Sequence, residues 1–114
     1  GKLLMWHGSQ DPLVLPDQSI AYYQQVEATM GGSAATQDFL RLFMIPGQGH
    51  CWEIPADQPD QFDPLAALEL WVEQGQAPEH LLLTTPPAMP GSAAEPGKTA
   101  VVCPYPIDAN SCSR

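Results

Sequence analysis

Asp11 and His50 are the residues whose type and setting could do chemistry. Each stands in a turn that follows a short apolar run, in Gly8-Ser9-Gln10-Asp11-Pro12 and in Pro46-Gly47-Gln48-Gly49-His50. Open parallel sheets place their binding and catalytic groups in such strand-end loops. A carboxylate that accepts the imidazole Nδ1–H fixes the tautomer, leaves Nε2 as a general base and stabilises the imidazolium that forms once the base takes a proton. Taken singly, Asp11 is ordinary turn chemistry and His50 a histidine in a glycine-rich loop. Only their pairing at two neighbouring strand ends points to catalysis. The alternative keeps both residues structural, in a non-catalytic binding domain or, with His7 and Cys51, a metal-holding one. Those are suitable ligand types, but no H-E-x-x-H or C-x-x-C spacing supports a metal centre.

The elements that must position these loops are legible in outline. Lys2 to His7 reads as a buried strand ending at Gly8, and Pro12 pushes Asp11 away from helical geometry. From Asp17 the spacing turns helical: Ile20, Tyr23, Val26 and Met30 share one face, Asp17 can cap the start and Gly31-Gly32 the end. Phe39 to Ile45, broken only by Arg41, reads as a second strand running into the glycine-rich turn that carries His50. Trp52 to Phe62 reads as an acidic surface loop without the ligand spacing of a calcium-binding hand. Asp63 then caps a helix with Pro64 at its first position, Leu65, Leu68, Trp71 and Val72 on one face and Gly75 as the stop. His80 to Thr84 predicts a third strand, with His80 at its exposed edge, before a Pro- and Gly-rich tail that should be mostly irregular. The alternation predicts an α/β class with parallel strands, about three strands and two helices. The expected division is 1–86, a catalytic-domain segment, and 87–114, an irregular tail.

Charge and composition exclude several functions. Four Lys and Arg stand against 13 Asp and Glu, a formal charge of −9, so no basic stripe exists to release phosphate counterions and a nucleic-acid partner is not expected. With 44% hydrophobic and 15% charged residues the chain can form a packed core. Leu3 to Trp6, the longest apolar run, is far shorter than the roughly 20 residues of a membrane helix. The chain opens on Gly1 and Lys2 without a signal-peptide pattern, and it reads as a fragment that needs the rest of its sheet. Three cysteines, Cys51, Cys103 and Cys112, are an odd number, so a disulfide pattern would leave one thiol over or a partner elsewhere. Cys103 and Cys112 could close a short loop in an oxidising compartment, whereas cytosolic thiols that never pair are the alternative. Trp6 and Trp71 are expected in the core, and Trp52, after His50 and Cys51, could border a substrate pocket.

A nucleophile is what the chain lacks. Ser9, Ser19, Ser33, Ser92, Ser111 and Ser113 all stand outside a G-x-S-x-G elbow. The α/β-hydrolase order of Ser, acid, His would put such an elbow upstream. The subtilisin order would allow Ser92, Ser111 or Ser113, but no helix is predicted after them.

Gly8-Ser9-Gln10-Asp11-Pro12-Leu13, Tyr22-Tyr23, Arg41 through Cys51 (RLFMIPGQGHC) and Phe62 through Glu73 (FDPLAALELWVE) closely resemble the C-terminal part of the tannase and feruloyl esterase family. The likeness covers most of residues 1 to 85, and the G-x-G-H-C end of an apolar strand is its specific part. It implies an α/β-hydrolase with a large inserted lid that hydrolyses esters of hydroxylated aromatic acids, and the family also includes enzymes acting on a terephthalate monoester. It makes Asp11 the triad acid and His50 the triad base. It also implies that Cys51 forms a structural disulfide with a cysteine directly before the nucleophilic serine, outside this chain. Cys103-Pro104-Tyr105-Pro106 looks like the family's tail segment, which implies a bridge from Cys103 to Cys112. Further implications are a secreted or periplasmic location, a small aromatic ester as substrate, and calcium in a lid that these residues do not include. This chain alone is expected to be inactive, and its oligomeric state is not legible.

Overall fold

The structure, a computed structural model, describes residues 1–51, 58–85 and 97–108. Its elements are β1 (Leu3–Gly8), α1 (Pro16–Met30), α2 (Ser33–Gln37), β2 (Leu40–Ile45), α3 (Pro64–Gln74), β3 (Leu81–Thr84) and β4 (Thr99–Val102). β1 and β2 pair in parallel, from Leu3 opposite Leu40 to Gly8 opposite Ile45, with α1 and α2 forming the crossover between them. Because the strands are parallel and in register, both chains leave the sheet at the same edge. That sets the loop carrying Asp11 beside the loop carrying His50.

β2 is buried on both faces, as a strand inside an α/β layer should be. Leu40 and Leu42 pack with Tyr23 of α1, while Phe43 and Ile45 pack on the other side with Leu4, Leu81, Leu83 and Val102. Arg41, the one charge in the run, is satisfied where it lies. Its guanidinium donates to the carbonyls of Gln37 and Pro78, approaches Glu79 at 3.7 Å and sits over the Trp71 ring.

The helices follow their local signals with instructive exceptions. α3 has the predicted caps: the Asp63 carboxylate accepts from the Ala66 amide at 3.0 Å, Pro64 opens the helix and Gly75 closes it in a left-handed conformation. Its inward stripe is rotated from the expected one, however. Trp71 is buried and Ala67 and Leu68 pack on the core, whereas Leu65 and Val72 are exposed. α1 starts earlier than expected. Pro16, whose fixed φ suits the first helical turn, puts Leu15 at the N-cap and Asp17 inside the first turn, where its charge complements the helix dipole without capping. Tyr23 is buried, with Ile20 and Val26 packed around it, but Met30 at the helix end, which Gly31 closes in a left-handed conformation, is exposed.

The third strand is where the expected architecture changes. β3 does not extend the parallel pair; it pairs antiparallel with β4, Leu81 opposite Val102 and Thr84 opposite Thr99. β4 lies in the stretch expected to be irregular, because the prolines around it mask a β-prone Thr-Ala-Val-Val run. Leu81 and Leu83 alternate into the core and Leu82 and Thr84 face out, the period-2 pattern of a sheet with one covered face. After β4 the chain returns to β2, where the Tyr105 amide donates to the Leu42 carbonyl at 2.7 Å. The end of the expected surface loop is also tucked in: Asp60 is buried, and Gln61 bridges Thr84 through a pair of 2.9 Å backbone bonds. Four described strands in two pairs and three helices thus replace the expected three and two.

Gly8 marks the closest approach of the two loops. A Cβ there would meet the Gln48 carbonyl oxygen at 2.4 Å and that of Gly49 at 2.5 Å, both backbone atoms that cannot swing aside. Gly8→Ala is therefore expected to lower stability by about 1–3 kcal/mol, the usual cost of forced overpacking, and to spread the loops. Chemical denaturation of the full-length protein checks this; an unchanged midpoint would rule out the close approach.

Candidate active site

Backbone bonds stitch the two strand-end loops together. The Ser9 amide donates to the Ile45 carbonyl at 2.9 Å, the Gln10 amide to the Gln48 carbonyl at 2.9 Å, and the Gly47 amide to Ser9 Oγ at 3.0 Å. Gly47 takes φ +74°, a left-handed turn that glycine adopts without strain, and this turns the chain off β2 toward His50. Asp11 is held by its own turn: Oδ1 accepts from the Leu13 amide at 2.9 Å and the Val14 amide at 3.0 Å. Its Oδ2 accepts from His50 Nδ1 at 2.9 Å.

Asp11 is 7% exposed, and such burial alone would push its carboxyl up. The donors outweigh it. Hydrogen bonds from Val14, His50 and Leu13, with the attraction of the His50 ring, hold the carboxyl well below the usual carboxylate range. The acid is thus an obligate acceptor, which orients the His50 Nδ1–H toward it. The His50 side chain is 36% exposed and faces a cleft of about 230 Å³.

That cleft is lined by Trp6, His7, Gly8, Asp11, Val14, Gln48, Gly49 and His50. Trp6 was expected in the core; it is instead 38% exposed, with its ring edge-on to Phe62 at 5.3 Å. Phe62 covers the ring only in part, and its open side forms a wall beside the histidine. Trp71 is buried as expected, and His80 is exposed just before β3. Cys51 is exposed, next in the chain to His50, and Cys103 is buried after β4. Trp52 and Cys112 lie outside the described residues, as do Ser92, Ser111 and Ser113. Ser9 and Ser19 are engaged with Gly47 and His7. Among the described residues no group of three or more His, Cys, Asp or Glu is placed to hold a metal ion.

Sequence reasoning missed His7 as a partner of Asp11. Its Nε2 lies 3.1 Å from Asp11 Oδ2. The signal was available: a histidine as the last side chain of a strand, four residues before an acid, with a turn that folds the acid back over it.

A model of the family described as tannase and feruloyl esterase matches residues 1–111. The chain belongs to that family. Among relatives, it is 39% identical over 111 residues to a probable feruloyl esterase of Arthroderma benhamiae, covering 93% of this chain and 19% of that protein. It is 36% identical over 106 residues to the mono(2-hydroxyethyl) terephthalate hydrolase of Piscinibacter sakaiensis, covering 93% of this chain and 16% of that protein. Among solved structures, feruloyl esterase B from Aspergillus oryzae superposes with a TM-score of 0.77 at 28% identity, over 93% of this chain and 23% of that one. The chain therefore spans about a fifth of the length of these relatives. With its mixed helices and few strands it is a partial α/β domain of the tannase and feruloyl esterase fold. Among the described residues of this family member, no helix is long and apolar enough to cross a membrane.

Proposed function

We propose that this chain supplies the acid and the base of a Ser-His-Asp carboxylic ester hydrolase, of feruloyl esterase or tannase type, whose serine lies outside these 114 residues. The observation that carries the reading is the 2.9 Å bond between His50 Nδ1 and the buried Asp11 carboxylate at the ends of two parallel strands. Family membership and the names of the relatives support an aromatic ester as substrate.

In this mechanism the serine hydroxyl attacks the ester carbonyl as His50 Nε2 takes its proton, and the imidazolium forms against Asp11. The tetrahedral intermediate then expels the alcohol, which receives that proton, and leaves an acyl-enzyme. His50 next takes a proton from water as it attacks the acyl carbonyl, returns it to the serine, and the aromatic acid departs. Asp11 stays ionised throughout and holds the ring. Trp6 gives the cleft an apolar wall suited to an aromatic acyl group.

The same reading places Cys51 in a disulfide with a cysteine beside the serine, pairs Cys103 with Cys112, and puts the enzyme outside the cytoplasm. A calcium ion belongs to the lid in this reading. The described residues offer no acidic cluster suited to it, and no step here runs through it.

The test uses the full-length protein that carries this chain. A fluorophosphonate probe should label one serine and abolish hydrolysis of methyl ferulate or methyl gallate in step. Hydrolysis that persists after full labelling, or a protein that neither reacts with the probe nor hydrolyses either ester, would overturn the proposal.

A further inference from the structure

The Asp11 carboxylate holds more than the turn amides and His50. His7, next to last in β1 and only 10% exposed at its side chain, reaches Asp11 Oδ2 at 3.1 Å and the Val14 carbonyl at 2.9 Å through the same Nε2. A carbonyl can only accept, so Nε2 carries the proton and shares it between the two oxygens. The other ring nitrogen, Nδ1, lies 2.7 Å from Ser19 Oγ in the first turns of α1. In the neutral ring Nδ1 is an acceptor, so the Ser19 hydroxyl donates to it and fixes the tautomer that Asp11 and Val14 require.

We infer that His7 is a positioning residue for the proposed esterase reaction: with Ser19 behind it, it pins the Asp11 carboxylate and the 11–14 turn so that Oδ2 meets His50 Nδ1. The inference rests on the triad reading given above. Its physical content is that one carboxylate is clamped from four sides. Leu13 and Val14 amides hold Oδ1, and the two imidazoles hold Oδ2. The amides alone fix one oxygen and leave the carboxylate plane to pivot about it; the His7 donor removes that pivot. Because His7 also binds the Val14 carbonyl, it ties the turn's far end to β1. Ser19 then ties the ring to α1, which makes the acid's position a property of the strand, the turn and the helix together.

The test is steady-state hydrolysis of methyl ferulate by full-length variants. His7→Leu keeps the side-chain volume and removes the donor; it should lower kcat about 10- to 100-fold, the cost of misplacing a catalytic group, with KM changed less than about threefold. His7→Gln, whose Nε2 amide can donate to both oxygens, should restore most of kcat. Ser19→Ala leaves the ring in place and only releases Nδ1, and should cost about fivefold in kcat, one neutral hydrogen bond. If His7→Leu does not fold, the Gln and Ala variants decide alone. His7→Leu at or above the activity of His7→Gln, or Ser19→Ala at full kcat, would overturn the role. His50→Ala is assayed beside them: inactive His50→Ala with a fully active His7→Leu rejects only the positioning role, whereas an active His50→Ala rejects the triad itself.

Discussion

His50→Ala in the full-length protein is expected to lower kcat on methyl ferulate or methyl gallate by about 10⁴- to 10⁶-fold, because the members of a triad act as a unit and losing the base disables the nucleophile. The folded state should lose the bond from the imidazole to Asp11 and keep its fold. The His50 side chain is 36% exposed and sits at the tip of a turn whose backbone is stitched to the Asp11 loop through Ser9, Gln10 and Gly47, in addition to the imidazole's own bond to Asp11. Alanine there leaves the bonds through Ser9, Gln10 and Gly47 intact, so a melting temperature close to that of the unaltered protein should accompany the collapse in rate. KM should move little, since the ring's contribution grows only as the proton transfers. Steady-state kinetics with a thermal melt on the same preparation separates the two effects. Activity within tenfold of the unaltered enzyme would remove His50 from the base's role.

What could be read in advance divides by the range of the interaction. The Asp63-Pro64 start and Gly75 stop of α3 are local signals, set by which residues satisfy the helix's end groups, and they stand in the structure. The two strand-end loops were equally legible, because the apolar runs of β1 and β2 each end at a glycine-bearing turn, and parallel register does the rest. Partner choice was not legible. Whether Leu81 to Thr84 joins a parallel sheet or pairs with Thr99 to Val102 depends on contacts across a proline-rich stretch, and no local property of either segment encodes it. Burial was misread for a related reason. Leu65, Val72 and Trp6 are apolar and read as core, yet Leu65 and Val72 stand on α3 away from the cluster that Ala67 and Leu68 join, and Trp6, at the end of β1 beside the cleft, is covered only in part by Phe62. In the site, the placing of Asp11 and His50 at two strand ends was legible from the apolar runs before them and their triad roles only from the family resemblance, whereas the clamp from His7 needed the third dimension, since the turn at Pro12 folds the acid back over the strand it has just left.

Asp11→Asn is expected to cost about 10⁴-fold in kcat, chiefly through the tautomer. The amide oxygen of asparagine can still accept from Leu13 and Val14 in place of Oδ1. Its NH₂ then replaces Oδ2, presents donors to His50 Nδ1 and faces the His7 Nε2–H, which keeps only the Val14 carbonyl as acceptor. The ring answers by accepting there and carrying its proton on Nε2, where a base needs a lone pair. No pH restores the reaction, because the variant lacks the anion that the imidazolium leans on. The same substitution has a stability signature whose sign is fixed. Burial pushes the Asp11 carboxyl up, but the bonds from Val14, His50 and Leu13 pull it well below its ordinary value of 3.8, so the folded state prefers the anion. A carboxylate depressed on folding stabilises the protein at pH values above its unfolded pKa and loses that contribution as pH falls through the window toward the folded value. The melting temperature of the unaltered enzyme should therefore exceed that of Asp11→Asn by its full margin at neutral pH, and the gap should narrow once the pH drops below 3.8. Melts from about pH 6 to about pH 2.5 read this directly. A gap that stays constant over that range would mean the carboxylate is not held as an anion by its donors, and turnover near that of the unaltered enzyme would reject Asp11 as the group that orients His50.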